Sequence, residues 1–72
     1  MKVSKVKVDA KSVWIEGSED GWNTRQVFCD IHEVSGYMIA MSVFNQKPMF
    51  IVKDRTDLLL RLREKWPGAS FE

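Results

Sequence analysis

The 72-residue chain has one cysteine and one histidine, and this scarcity limits its chemistry. A lone cysteine cannot form an intramolecular disulfide, which favours a reducing compartment, so we expect a cytoplasmic protein. A structural zinc site usually takes four cysteine or histidine ligands, and Cys29 and His32 are too few to form one. We therefore expect neither a structural metal nor any other cofactor.

Long apolar runs are also absent. No run approaches the roughly 20 residues of a membrane span, and the alternating lysines and valines at the start do not resemble a signal peptide. Hydrophobic residues make up 44% of the chain and charged residues 29%. This composition predicts one small soluble domain over residues 1–72 and no membrane association. A domain of this size buries only about 60% of the surface of its unfolded chain, so its core is small.

No charge of one sign dominates, because the net charge is +1. This gives the whole molecule no strong attraction to nucleic acid or to a membrane. The charge is unevenly distributed along the chain, however. Residues 1–11 carry four lysines against one aspartate, whereas residues 12–34 carry five acidic residues against one arginine.

The stretch from residue 27 to residue 54 organises the chain, because it reads as three apolar strands joined by two turns. A two-residue loop at Ser35-Gly36 places Val34 opposite Tyr37, and cross-strand neighbours share a face. The predicted first face carries Phe28, Asp30, His32, Val34, Tyr37, Ile39, Met41, Val43, Phe50 and Val52. The predicted second face carries Val27, Cys29, Ile31, Glu33, Met38, Ala40, Ser42, Phe44, Met49, Ile51 and Lys53.

A helix follows these strands, over about residues 55–66. Asp54 is a suitable N-cap, Asp57 complements the helix dipole, and Pro67-Gly68 ends the helix. At 100° per residue, a stripe facing the core contains Leu58, Leu59, Leu62 and Trp66. Leu60 lies on the far side. We expect the helix to cover the second face, where several side chains are small, and residues 67–72 to form a short tail that folds back or frays.

The predicted fold is α+β, an antiparallel β-meander of four to five strands with one C-terminal α-helix packed on one face. The strands are predicted at about 2–8, 12–16, 23–34, 37–45 and 48–53, and a polar loop at 17–21. Because one helix covers only one side of a sheet, the first face needs another cover. Either the N-terminal strands curl the sheet over this face into a partial barrel, or a partner protein covers it.

Catalysis has little support in the sequence. Asp30 and His32 share a predicted face, but two residues apart on a strand their side chains start roughly 6 to 7 Å from each other. Cys29 points to the other face, and no serine or threonine beside them is an evident nucleophile. We therefore expect a protein that is not an enzyme and has no small-molecule substrate.

Protein binding fits the composition better, since interfaces favour Trp, Tyr, Phe, Met and Arg. The predicted contact residues are Phe28, Tyr37, Met41, Phe50 and Leu60. The expected function is a small non-enzymatic protein-binding module that acts by steric occupation of a partner protein. The partner is another protein, a second copy of the chain in a homodimer, or both. A meander followed by a capped helix occurs in several small bacterial and phage regulators, antitoxins and inhibitors, and this analogy of architecture suggests an inhibitor or regulator of phage or mobile-element type.

Nucleic-acid binding is the alternative. Basic residues occur in the first strand and in the helix, and aromatic side chains could stack on bases. The predicted contact residues in this case are Lys5, Lys7, Arg61 and Arg63. Acidic residues partly neutralise the helix, and the middle third of the chain is acidic.

Overall fold

The computed structural model describes residues 2–72, which form one six-stranded sheet and one helix. The elements are β1 (Lys2–Val8), β2 (Ser12–Glu19), β3 (Trp22–Val34), β4 (Tyr37–Met41), β5 (Pro48–Val52), α1 (Arg55–Lys65) and β6 (Ser70–Phe71). The strand order is β5-β4-β3-β2-β1-β6. The predicted α+β class is confirmed, but the sheet has six strands, not four to five, and it is open.

The longest strand, β3, joins two offset halves of the sheet. Its first part pairs with β2, which in turn pairs with β1, whereas its last five residues pair with β4. The offset gives the molecule an elongated shape of 42 × 24 × 17 Å. The N-terminal strands therefore extend the sheet sideways and do not fold over its first face.

The helix covers one side of the sheet, which we call the inner face; the opposite side is the outer face. Leu58 and Leu62 are fully buried, in one cluster with Cys29 and Ala40, as the small residues of the second face predicted. The remaining core residues are Val6, Val8, Val13, Ile15, Ile31, Met38 and Val52. Fully burying one leucine stabilises the fold by about 1.5–3 kcal/mol.

The helix boundaries follow from its caps. The Asp54 carboxylate accepts a hydrogen bond from the Asp57 backbone N–H at 2.9 Å, and the Asp57 carboxylate accepts one from the Lys53 N–H at 3.2 Å. At the far end, the Trp66 N–H donates to the Leu62 carbonyl. Within residues 2–72 no helix has the length and apolar character that crossing a bilayer requires.

Two tight turns set the register on either side of β3. Ser35 and Gly36 have φ values of 51° and 82°, which suit a two-residue hairpin turn. The predicted pairing of Val34 with Tyr37 is confirmed. Asp20 and Gly21 have similar φ values of 50° and 83°. The polar loop predicted at 17–21 is therefore wrong, because β2 continues to Glu19 and only Asp20-Gly21 turns the chain.

Position 17 of β2 needs a glycine because the backbone of β1 passes too close to leave room for a side chain. A Cβ atom at this position would lie 2.1 Å from the Lys2 carbonyl oxygen. The pairing of β1 with β2 is irregular at this point, between Val3 and Lys5. Glycine thus marks close contact between two strand backbones, and not the start of a loop.

The second hairpin differs from the prediction in register. Residues 42–47 form a six-residue turn in which the Ser42 N–H donates to the Lys47 carbonyl, and the Ser42 and Asn45 side chains accept backbone N–H groups. These local bonds end β4 at Met41, four residues before the predicted end. Pro48 pairs with Met41 but Phe50 pairs with Ala40, so Met49 is an extra residue in β5 and shifts the register of the rest of the strand. Val52 consequently pairs with Met38. Placing Phe50 and Val52 on the first face was wrong.

A β-bulge turns Phe28 away from its predicted face. Val13 pairs with Cys29 but Trp14 pairs with Val27, so Phe28 is the extra residue in β3. Its ring packs edge-on against Trp66, with ring centroids 4.8 Å apart. Phe28 therefore packs against the helix end, and its predicted place on the first face was wrong.

The C-terminal tail folds back onto β1. Strand β6 pairs in parallel with β1, and the Glu72 N–H donates to the Val6 carbonyl at 2.9 Å. The Glu72 carboxylate also lies 3.2 Å from the Lys5 ammonium. Phe71 is half-buried against the core.

Candidate protein-interaction surface

The outer face carries a group of apolar side chains, some exposed and some half-buried, at the β4–β5 end of the sheet. We call it the outer patch: Val34, Tyr37, Ile39, Met41 and Ile51. Their positions follow from the register, in which His32, Ile39 and Ile51 form one row and Asp30 and Met41 part of the next. Tyr37 is 54% exposed and Ile51 55%. Among residues 2–72 no helix or strand crosses this patch.

The other end of the outer face is charged. A shallow depression there is lined by Lys5, Lys7, Trp14, Ile15, Glu16, Arg25 and Glu72. The Arg25 guanidinium lies 5.0 Å from the centre of the Trp14 ring, close enough for a cation–π interaction. The outer face thus changes from charged at β1 and β2 to apolar at β4 and β5.

The five predicted contact residues lie at four different places. Tyr37 and Met41 belong to the outer patch, whereas Phe28 packs on Trp66. Phe50 lies on the inner face, where the Arg61 guanidinium is 5.4 Å from the centre of its ring. Leu60 is exposed on the side of α1 that faces away from the sheet.

Five exposed large apolar residues were not among the predicted contacts: Trp22, Val34, Phe44, Met49 and Ile51. Ile51 was assigned to the wrong face because Met49 is the extra residue of a bulge in β5, which shifts the alternation of the residues after it. Phe44, in the turn at 42–47, is 94% exposed, and Trp22, beside the Asp20-Gly21 turn, is 76% exposed. The Asp-Gly pair is a strong hairpin signal that could have placed Trp22 at a hairpin tip.

The four predicted nucleic-acid contacts do not form one surface. Lys5 and Lys7 lie on the outer face of β1, and Lys5 is paired with Glu72. Arg61 and Arg63 belong to α1 on the inner side, where the Arg63 guanidinium lies 5.4 Å from the centre of the Phe71 ring. A nucleic-acid strand bound to one side of the molecule would contact either Lys5 and Lys7 or Arg61 and Arg63, but not all four.

Asp30 and His32 do share the outer face, as expected. Cys29 is fully buried on the inner face, and its burial, together with the negative charge of Asp30, raises the pKa of the thiol to about 11. The thiol is therefore protonated at neutral pH and a poor nucleophile. In the described part of the chain, no three histidine, cysteine, aspartate or glutamate side chains come together in a way that could hold a metal ion.

Comparisons of the chain with protein-family models, with curated proteins and with solved structures gave no match.

Proposed function

We propose that the protein is a small non-enzymatic binding module that holds another protein against its outer patch. The observation that carries this proposal is an apolar patch on the side of the sheet opposite the helix, in which Val34, Tyr37 and Ile51 are exposed and Ile39 and Met41 are half-buried. Steric occupation of the partner surface would make the protein an inhibitor or regulator, and the analogy of a meander followed by a capped helix is the basis for proposing the phage or mobile-element type. We place it in the cytoplasm, where its buried thiol stays reduced.

The patch suits binding because its side chains are presented on a sheet and not on a loop. Ile39 and Ile51 are β-branched and have few rotamers, and Tyr37 has only two side-chain torsions. Ordering such side chains at an interface costs little entropy. Asp30 and His32 lie within the apolar rows and could fix orientation by hydrogen bonds, while the charged end supplies a polar rim.

The test introduces a charge at the centre of the patch. Ile39→Lys would bury an unpaired ammonium in the interface, so we expect capture of partner proteins from a lysate of the native host to fall at least tenfold. Leu60→Lys adds the same charge on α1, on the other side of the molecule, and should capture the same proteins as the wild type. Quantitative mass spectrometry of material bound to each immobilised variant gives the measurement.

Both variants must first be shown to be folded by circular dichroism and thermal unfolding. The proposal fails if every protein captured by the wild type is captured equally by the folded Ile39→Lys variant. It also fails if Leu60→Lys loses the same proteins, since the contact would then not be specific to the outer face.

A further inference from the structure

The long strand β3 has a free edge in the middle of the sheet. Strand β2 begins at Ser12, opposite Asp30, whereas β3 continues to Val34. Within residues 2–72, positions 31–34 of β3 therefore pair with β4 on one side and with no strand on the other. This step leaves an open cleft, which we call the β3 notch. It is lined by Ala10, Lys11, Gln46 and residues 30–33 of β3.

Backbone groups of β3 point into the β3 notch. The Ile31 N–H donates to the Lys11 carbonyl at 2.8 Å, so the main-chain groups of Ile31 lie on the β2 side of the strand. Main-chain groups of an antiparallel strand alternate between its two neighbours, so those of Glu33 point the same way. Among residues 2–72, the N–H and C=O of Glu33 have no strand to pair with on that side. The backbone of an extended peptide satisfies such groups by β-strand addition.

The β3 notch lacks the devices that protect the two outer edges of the sheet. Strand β6 covers part of β1, and β5 is short, begins with Pro48 and has a bulge at Met49. Residues 31–34 contain no proline and pair with β4 without a bulge. The cleft measures about 660 Å³, within the roughly 300–1,000 Å³ typical of ligand sites. The turn that contains Lys11 closes one end, so an added segment pairs only with residues 32–34.

Side-chain charge selects the kind of segment. Glu33 is exposed and forms no ion pair with any of residues 2–72. Opposite side chains in a sheet share a face, so a lysine or arginine opposite Glu33 would form an opposite-charge pair on the inner face. Its two neighbours would lie opposite His32 and Val34 on the outer face, where apolar side chains extend the outer patch. The lining also carries two carboxylates against the single ammonium of Lys11, which favours a cationic segment.

We infer that the β3 notch binds a short extended segment of another protein, with a lysine or arginine opposite Glu33 and an apolar residue on either side of it. Antiparallel pairing is slightly more stable than parallel pairing, so the segment runs in the direction of β2 and its C-terminal end meets the turn at Lys11. The inference goes beyond the proposed function, because it concerns the free edge of β3 and does not require a protein on the outer patch.

The probe is the peptide acetyl-Thr-Val-Lys-Val-amide, whose lysine would face Glu33. Added to the purified, isotopically labelled protein up to about 5 mM, it should shift the amide NMR signals of residues 32–34 and slow hydrogen exchange at the Glu33 N–H. The dissociation constant should be on the order of 1 mM, because only three residues pair. Methylation of the lysine backbone nitrogen removes the donor to the Glu33 carbonyl and should weaken binding about tenfold.

A charge swap tests the selection by Glu33. Glu33→Lys should bind the lysine peptide about two- to fivefold more weakly than the wild type, and should prefer a peptide with glutamate in place of lysine. Glu64→Lys makes the same change of charge at an exposed position of α1 and should bind like the wild type. Circular dichroism establishes that each variant is folded.

The inference is overturned if no amide signal of residues 32–34 moves at about 5 mM peptide. Equal binding of the methylated peptide would also overturn it, because the contact would then not be backbone pairing. If the wild type and Glu33→Lys prefer the same peptide, Glu33 does not select the segment. All of these measurements use purified protein and peptide, so their failure leaves the lysate result with Ile39→Lys unchanged, and the two proposals fail separately.

Discussion

Cys29 shows how strongly one buried residue responds to its surroundings. The side chain is fully buried beside Val13 of the neighbouring strand, and burial disfavours the charged thiolate. The adjacent Asp30 carboxylate disfavours it further, and together they raise the pKa from its ordinary value of 9.0 to about 11. The folded protein therefore holds this proton more tightly than the unfolded chain does.

This difference predicts a loss of stability in alkaline solution. Below pH 9 the thiol is protonated in both states and its contribution is fully present; as the pH rises to about 11, the unfolded state gains stability by ionising first. The loss amounts to roughly 2–3 kcal/mol in the free energy of unfolding. Urea unfolding between pH 8 and pH 11, with a reducing agent present, measures it.

Cys29→Ala is the control, because the variant keeps every lysine and the tyrosine that also titrate in this range. Its free energy of unfolding should be lower at pH 8 but should fall less between pH 9 and pH 11 than that of the wild type. Parallel curves for the two proteins would show that the thiol does not carry this dependence.

At the scale of single elements, the start of α1 controls whether the helix forms. Removing the carboxylate in Asp54→Ala leaves the Asp57 N–H without its acceptor, and loss of an N-cap typically costs about 1 kcal/mol. Leu58 and Leu62 belong to the core, so fraying of the helix destabilises the whole domain. We expect chemical unfolding to show a loss of about that size.

Asp54→Asn separates the hydrogen bond from the charge. Asparagine keeps an acceptor oxygen and caps helices about as well as aspartate, so this variant should stay within a few tenths of a kcal/mol of the wild type. If Asn costs as much as Ala, the negative charge at the helix dipole, and not the hydrogen bond, is the stabilising interaction.

An element could be predicted from the sequence when the residues that determine it lie next to one another in the chain. The Ser35-Gly36 hairpin and the capped helix were read correctly because the residues that fix them are adjacent. The turn at 42–47 depends on side-chain bonds from Ser42 and Asn45, which make it longer than predicted. A bulge at Met49 then moves Phe50 and Ile51 to the opposite faces, and such a bulge depends on the partner strand. The two-residue strand β6 was not predicted, because its pairing with distant β1 leaves no periodic pattern.

The candidate site was predictable only in part, for the same reason. Tyr37 and Met41 follow from the first hairpin and lie on the outer patch, and Ile51 was lost with the register of the second hairpin. Phe28 is a large aromatic residue of the kind that interfaces favour, but a bulge turns its side chain toward Trp66. A bulge depends on the partner strand, so alternation along β3 alone gives no sign of it.

At the scale of the whole molecule, the fold is two layers with one bare side. A single helix of 11 residues buries the inner face, and the described chain has no second helix for the outer face. An antiparallel sheet tolerates this arrangement when its outward residues are polar. Here the outward residues are mostly charged at the β1–β2 end and mostly apolar at the β4–β5 end, beside Asp30 and His32, so the apolar end is where association with protein is expected.

The distribution of charge over the whole molecule argues against nucleic-acid binding. The net charge is +1, and the four predicted contact cations are divided between the outer face of β1 and the helix on the other side. On the outer face, Glu16 and Glu72 lie among Lys5, Lys7 and Arg25. Few phosphates could be neutralised at once, and affinity depends on how many are. We therefore expect no binding of labelled single- or double-stranded DNA or RNA by fluorescence anisotropy at about 50 mM salt and micromolar protein.

Paired variants make this expectation decisive. If anisotropy does rise and falls again with added salt, Lys7→Gln and Arg63→Gln each remove one cation from opposite sides of the molecule. A loss confined to Lys7→Gln would place nucleic acid on the charged end of the outer face, in competition with a partner protein. A loss confined to Arg63→Gln would place it on the helix, where both partners could bind together. Either result would add a nucleic-acid function to the proposed protein binding, because salt-dependent affinity comes from neutralised phosphates and not from an apolar patch.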